Sequence, residues 1–147
     1  MPRRPTPPSH LRIAAALLRV IIVDDDIAVL RSFKRALKLR RPTWDITTLS
    51  GSHEAMHYLA QGHCDVFVTD YEMPNIDGVQ LLIKVRAQYP RVRRVILSGT
   101  PVETAEDLPP GIVQAWVCKG LGVDELIDAV EDLLSKAPSA TAQMGAG

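Results

Sequence analysis

The chain lacks most of the features that would tie it to a special environment. It has only two cysteines, Cys64 and Cys118, with no motif spacing between them. Each falls at or in a predicted strand, where a free thiol behaves as a small hydrophobe, so no disulfide and a reducing, cytoplasmic compartment are expected. There is no excess of charge of either sign: 17 Lys and Arg balance 17 Asp and Glu. That balance gives no polyelectrolyte signature, and neither a nucleic-acid nor a membrane partner is expected. Long hydrophobic runs are missing too. The stretch Ile13 to Val23 is too short to span a bilayer, contains Arg19 and runs into Asp24, Asp25 and Asp26. The run resembles a signal peptide's apolar stretch, but no small-residue cleavage site precedes those acids, so none is expected. Internal repeats are absent.

What is present is one domain's worth of chain, 147 residues, with 46% hydrophobic residues to build a core. Residues 1–10 hold Pro2, Pro5, Pro7 and Pro8 and read as a disordered tail. Residues 11–18 fit either an extension of the first strand or a short extra helix, so the Pro/Arg-rich tail is set at 1–18. From residue 19 strands and helices alternate. Strands are expected at 20–23, 45–49, 65–69, 94–97 and 115–118. Helices are expected at 27–40, 52–60, 79–88, 102–107 and 123–135, with Pro42, Gly62, Pro90 and Pro109 as stops. Residues 136–147 are small and polar and read as a second disordered tail. Five strands alternating with five helices imply an open, doubly wound parallel sheet with helices on both faces.

In such a sheet the ligand crevice lies at the carboxyl ends of the strands. Val20-Ile21-Ile22-Val23 ends in Asp24 and Asp25, and Val66-Phe67-Val68-Thr69 ends in Asp70. Ser98 and Lys119 close two further strands. Carboxylates from adjacent strands would converge, and like charges in one cleft are unfavourable without a cation. Ligands that are all oxygen suit a hard divalent ion, Mg²⁺, held by Asp24, Asp25 and Asp70. Asp70 is alone on its strand and free to attack phosphorus, giving an acyl phosphate. The metal and the Lys119 ammonium would neutralise the transferring group, and the Ser98 hydroxyl could donate to a phosphoryl oxygen.

With these residues in place the chain resembles the receiver domain of two-component response regulators over about residues 19–135. Asp70-Tyr71-Glu72-Met73-Pro74-Asn75-Ile76-Asp77-Gly78 is similar to the family's D-x-x-M-P-x-x-D-G. Asp24 and Asp25 match its acid pair, Ser98 its Ser/Thr and Lys119 its lysine. The resemblance implies a flavodoxin-like five-stranded sheet of order 2-1-3-4-5, an arrangement for which a receiver is a standard example. It implies phosphoryl transfer onto Asp70 with Mg²⁺ from a sensor histidine kinase or a histidine phosphotransfer protein. It adds the backbone carbonyl of Glu72 as a metal ligand, and Ser98 with Trp116 as the switch pair. It implies no enzyme beyond self-phosphorylation and autodephosphorylation. Only a dozen residues follow the last helix, so a single-domain regulator is expected, signalling by phosphorylation-dependent binding to an unidentified protein target. Two departures stand out. Gly120 follows the lysine where the family usually has Pro, which predicts a looser loop. Trp116 stands where Tyr or Phe is usual, and its indole is larger.

Other readings compete for the same residues. His53-Glu54-Ala55-Met56-His57 with His63 has the histidine spacing of a metzincin zinc protease, but Ala60 stands where that motif needs Gly. Asp24-Asp25-Asp26 fits the D-x-D of haloacid-dehalogenase phosphohydrolases, with Asp24 as nucleophile, but that family needs an acidic pair after a late strand, and the strand from Ala115 ends in Lys119-Gly120 instead. Asp26 reads as a helix N-cap, and Asp77-Gly78 chiefly as a turn. Arg31, Lys34, Arg35 and Lys38 form like-charge i,i+4 pairs that cost helix stability, a cost an acidic partner surface would offset.

Overall fold

The computed structural model of the chain describes residues 17–99 and 109–136. In order, the elements are β1 (Leu18–Val23), α1 (Ile27–Arg40), β2 (Trp44–Leu49), α2 (Ser52–Gln61), β3 (Val66–Asp70), α3 (Gly78–Gln88), β4 (Arg93–Ser98), β5 (Ala115–Cys118), a 3-10 turn (Lys119–Leu121) and α4 (Val123–Leu134). All strand pairings are parallel and the order is β2-β1-β3-β4-β5. Among the described residues there are four helices. The helix expected at 102–107 lies outside those residues, as do the tail expectations for residues 1–16 and 137–147. Strand and helix ends agree with the sequence reading to within one residue, apart from β1, which begins at Leu18.

The alternation of side chains along each strand builds two cores, one per face. Val20, Ile22, Val66, Val68, Val95 and Leu97 pack with Leu30, Phe33 and Leu37 of α1 and Leu126, Ile127 and Val130 of α4. Ile21, Val23, Phe67 and Ile96 pack on the other face with Ala55 and Leu59 of α2 and Leu81, Leu82 and Val85 of α3. Apolar residues on both faces explain why these strands read as continuous hydrophobic runs. Asp26 is the N-cap of α1, its side chain accepting from the amides of Ala28 and Val29. At the C-terminal end of α1, Arg40 pairs with Asp124 and the capping Arg41 with Glu131, both acids on α4. Arg31, Arg35 and Lys38 stay exposed. Both thiols are free, and burial pushes Cys64 up to about 12, keeping it a core residue.

One buried cation holds the sheet's far edge. Arg94 in β4 is 1% exposed. Its guanidinium donates to the carbonyls of Val92 at 2.6 Å, Ile112 at 2.9 Å and Gly111 at 3.0 Å. Its backbone amide donates to Gln114 Oε1 at 2.8 Å. Burial lowers its pKa to about 10, with help from the charge of Arg86, so it remains cationic at neutral pH. These bonds fasten residues 111–114 to β4 and so fix where β5 starts. Lysine cannot reproduce a planar fork that serves several carbonyls. Arg94→Lys should therefore cost at least about 2 kcal/mol, because buried acceptors lose their donors. Urea unfolding of the variant measures this, and an unchanged midpoint would contradict it.

Candidate functional site

Register alone brings the site together. Val23 is level with Thr69, so the next residues, Asp24 and Asp70, leave neighbouring strands side by side. Asp70 is level with Leu97, which puts Ser98 one step further on. Ser98 is level with Cys118, and Lys119 follows it. Strand order β1-β3-β4-β5 then lays the four chain positions along one edge of the sheet.

The side chains converge as well. Carboxylate oxygens of Asp24, Asp25 and Asp70 lie within 4.8 Å of one another, the one such cluster of three metal-ligating side chains among the described residues. Asp24 is fully buried, Asp70 is 7% exposed and Asp25 is open to solvent. Lys119 Nζ bridges the two buried acids, 2.6 Å from Asp24 Oδ2 and 2.9 Å from Asp70 Oδ1. Asp24 Oδ1 accepts from the amide of Asp26 at 2.9 Å. Asp24 Oδ2 is different: it is buried and has no aligned hydrogen-bond donor. The lysine sits close to it as a charge without the geometry of a hydrogen bond.

The electrostatics follow from burial. Desolvation raises the pKa of Asp70 above the ordinary carboxylate range; the Lys119 hydrogen bond opposes this, and the Asp24 charge adds to it. Lys119 loses solvation too, which lowers its pKa, but the close approach of the Asp24 and Asp70 carboxylates outweighs that and raises it. The site thus holds an excess of negative charge around one cation. An all-oxygen cluster with a buried oxygen lacking a directed donor fits a hard divalent ion such as Mg²⁺. Among the described residues no donor is bonded to the Glu72 carbonyl, in the loop that follows Asp70.

The loop behind the acid is tightly set. Asp77 is the N-cap of α3 in a full capping box with Gln80, its side chain accepting from the Gln80 amide at 2.8 Å. Asp77-Gly78 is therefore a helix start, and more than the turn expected from sequence. A Cβ on Gly78 would lie 2.4 Å from the Asp70 carbonyl oxygen and 2.9 Å from Ile96 Cδ1. The Gly78 amide donates to the Tyr71 carbonyl at 2.7 Å, closing the loop on itself. Only glycine fits where a helix starts against the backbone of the key acid.

Ser98 is buried at the end of β4. Trp116 is partly buried on β5, and its ring meets that of Tyr71 edge-on with centroids 5.8 Å apart. Tyr71, the residue after Asp70, was not singled out by sequence reasoning; a lone aromatic in a loop carries no spacing signal. Gly120 lies in the 3-10 turn, which Gly122 closes by donating its amide to the Lys119 carbonyl at 3.2 Å. The histidines go elsewhere. His53 and His57 are exposed on α2, His57 bonding Gln61 at 3.0 Å, and His63 pairs with Asp65 at 3.2 Å. They join no metal-ligating cluster of three among the described residues.

Comparison with known proteins agrees with this geometry. The profile of the response regulator receiver domain matches residues 20–131, and the chain belongs to that family. The chain is 30% identical to the hydrogenase transcriptional regulatory protein HoxA of Cupriavidus necator, over 76% of this chain and 23% of that protein. It is 30% identical to the transcriptional regulatory protein PrrA of Mycobacterium bovis, over 80% of this chain and 50% of that protein. It therefore spans half or less of the length of these relatives. Among solved structures it is similar to the response regulator protein TrrA of Thermotoga maritima in complex with Mg²⁺-BeF, with a TM-score of 0.71, 25% identity and coverage of 80% of this chain and 99% of that one. A CheY-like receiver of Methanospirillum hungatei shares the fold with a TM-score of 0.72, 21% identity and coverage of 81% and 94%. The phosphohydrolase and protease readings fall away with the family assignment.

The close approach at Gly78 gives a direct test. Gly78→Ala should destabilise the protein by about 2 kcal/mol or more, because a methyl group cannot fit against the Asp70 carbonyl without moving backbone. Urea unfolding reads the effect, and a variant as stable as the parent would mean the loop relaxes freely.

Proposed function

We propose that this receiver takes a phosphoryl group onto Asp70 from the phosphohistidine of a sensor histidine kinase or a histidine phosphotransfer protein. The observation that carries the reading is the Lys119 ammonium lying between the Asp24 and Asp70 carboxylates. A lone lysine between two acids has a structural use, but here it also stands where phosphoryl oxygens would need a cation. An Asp70 carboxylate oxygen attacks phosphorus, the phosphorus–nitrogen bond to the donor imidazole breaks, and the imidazole leaves with the electron pair. The product is an acyl phosphate on Asp70. Lys119 leaves Asp70 Oδ1 for an oxygen of the incoming group, and the Ser98 hydroxyl donates to another. Asp24, Asp25, Asp70 and the Glu72 carbonyl would hold Mg²⁺, which supplies charge neutralisation for the transferring group. Hydrolysis of the acyl phosphate returns the acid, and the chain needs no other catalytic activity.

The folded unit is assigned to residues 19–135, with the cytoplasm as its compartment. Its signal passes by phosphorylation-dependent binding to a protein target. The added charge is about −1.5 to −2. Ser98 and Trp116 form the switch that responds to it, and Tyr71 is in ring contact with Trp116.

Incubation with acetyl phosphate and Mg²⁺ should add one phosphoryl group by intact mass, and Asp70→Asn should abolish the adduct. Undiminished labelling of that variant would overturn the assignment. In a Trp44→Phe background, beryllofluoride should change the emission of Trp116, and Ser98→Ala should remove the change.

A further inference from the structure

The turn that carries Lys119 is built from residues that hold it poorly. Gly120 and Gly122 flank Leu121, and Gly122 sits at φ 85°, in the left-handed region. Glycine gives up more backbone freedom on ordering than any other residue. The lysine nevertheless has to reach two carboxylates at once, at 2.6 and 2.9 Å. Something must fix the backbone from which it reaches.

Glu125 is the group placed to do so. It is the third residue of α4, and α4 has no side-chain cap on its N-cap, Gly122. In a capping box the acid at this position reaches back to the amide of the N-cap residue. Here the Gly122 amide is already taken by the Lys119 carbonyl. Glu125 reaches further back instead: its Oε1 accepts from the backbone amide of Cys118 at 3.2 Å, in a partly buried contact. Cys118 is the last residue of β5, immediately before Lys119. The bond therefore crosses the glycine-rich turn and ties the strand end to a helix that is anchored in the core by Leu126, Ile127 and Val130.

We infer that Glu125 is a positioning residue for phosphoryl transfer, holding the Cys118–Lys119 backbone so that the ammonium meets Asp24 and Asp70. This rests on the reading of Lys119 given above. Asp124, its neighbour in the same helical turn, is a built-in control: it pairs with Arg40 on α1 and has no bond to the strand.

The test is the rate of phosphorylation of the full chain by acetyl phosphate with Mg²⁺, followed by intact mass. Glu125→Ala should slow the reaction about fivefold, the scale of one hydrogen bond lost. Glu125→Gln, which keeps the acceptor oxygen, should restore most of the rate, and Asp124→Ala should leave it unchanged. Glu125→Met keeps the stem without the acceptor and serves if the alanine variant fails to fold. In a Lys119→Ala background, itself slow, loss of the Glu125 acceptor should have no further effect, because the two act through one group. Equal slowing by Glu125→Ala with and without Lys119 would overturn the inference, leaving Glu125 a purely structural cap. A wild-type rate for Glu125→Ala alongside a slow Lys119→Ala would also overturn it while sparing the reading of Lys119. If Lys119→Ala itself reacts at the wild-type rate, the reading of Lys119 fails and this inference fails with it.

Discussion

The contact on which the rest depends is the one between Lys119 and two buried carboxylates. Asp24 and Asp70 leave adjacent parallel strands side by side, and without a cation their charges repel in a poorly solvated cleft. Lys119 lies close to both, but it leaves one buried oxygen of Asp24 without a directed donor and cannot offset Asp25 as well. The apolar sheet beneath is what keeps the acids there. Val20 to Val23 and Val66 to Val68 are buried on both faces, so neither strand can slip to separate its terminal acid without exposing core.

The same register explains how little the site needs from its loops. Asp24, Asp70, Ser98 and Lys119 each fall at or one step beyond a strand end. Loops then adjust the local backbone: Asp26 caps α1 beside the acid pair, and Asp77 and Gly78 close the loop after Asp70. Arg94 works at the opposite end of β4, fixing the approach to β5 through carbonyl bonds. The element that presents Lys119 is thus held from two sides, by Arg94 before the strand and by Glu125 after it.

Much of this was legible in the sequence because each strand is a β-branched run that turns polar where it stops. The four helices read correctly because each has a periodic apolar face and a Pro, Gly or cap at its end. Asp24, Asp25, Asp70 and Lys119 were legible as strand-terminal polar residues, and their convergence follows from parallel pairing. What the sequence did not disclose depends on geometry across space. Asp77 looked like a turn residue, and its capping box emerges only with the Gln80 side chain in place. Arg94 is one cation among several in Arg91-Val92-Arg93-Arg94, and nothing local says which of them is buried. Glu125 is an acid in the first turn of a helix, where the helix dipole alone would account for it, and its bond to Cys118 emerges only with the turn in place.

The central claim is that the fold carries these carboxylates at an electrostatic cost. It is tested most directly by thermal unfolding of the parent and of Asp70→Asn at neutral pH, with and without Mg²⁺. Burial raises the pKa of Asp70, so its contribution to stability is present at low pH and is lost as pH rises through the folded-state value. At neutral pH the neutral Asn should then make the metal-free protein unfold at a higher temperature than the parent. Mg²⁺ should raise the Tm of the parent and barely move that of the variant. A parent that is the more stable of the two without metal, and that does not respond to Mg²⁺, would contradict the account.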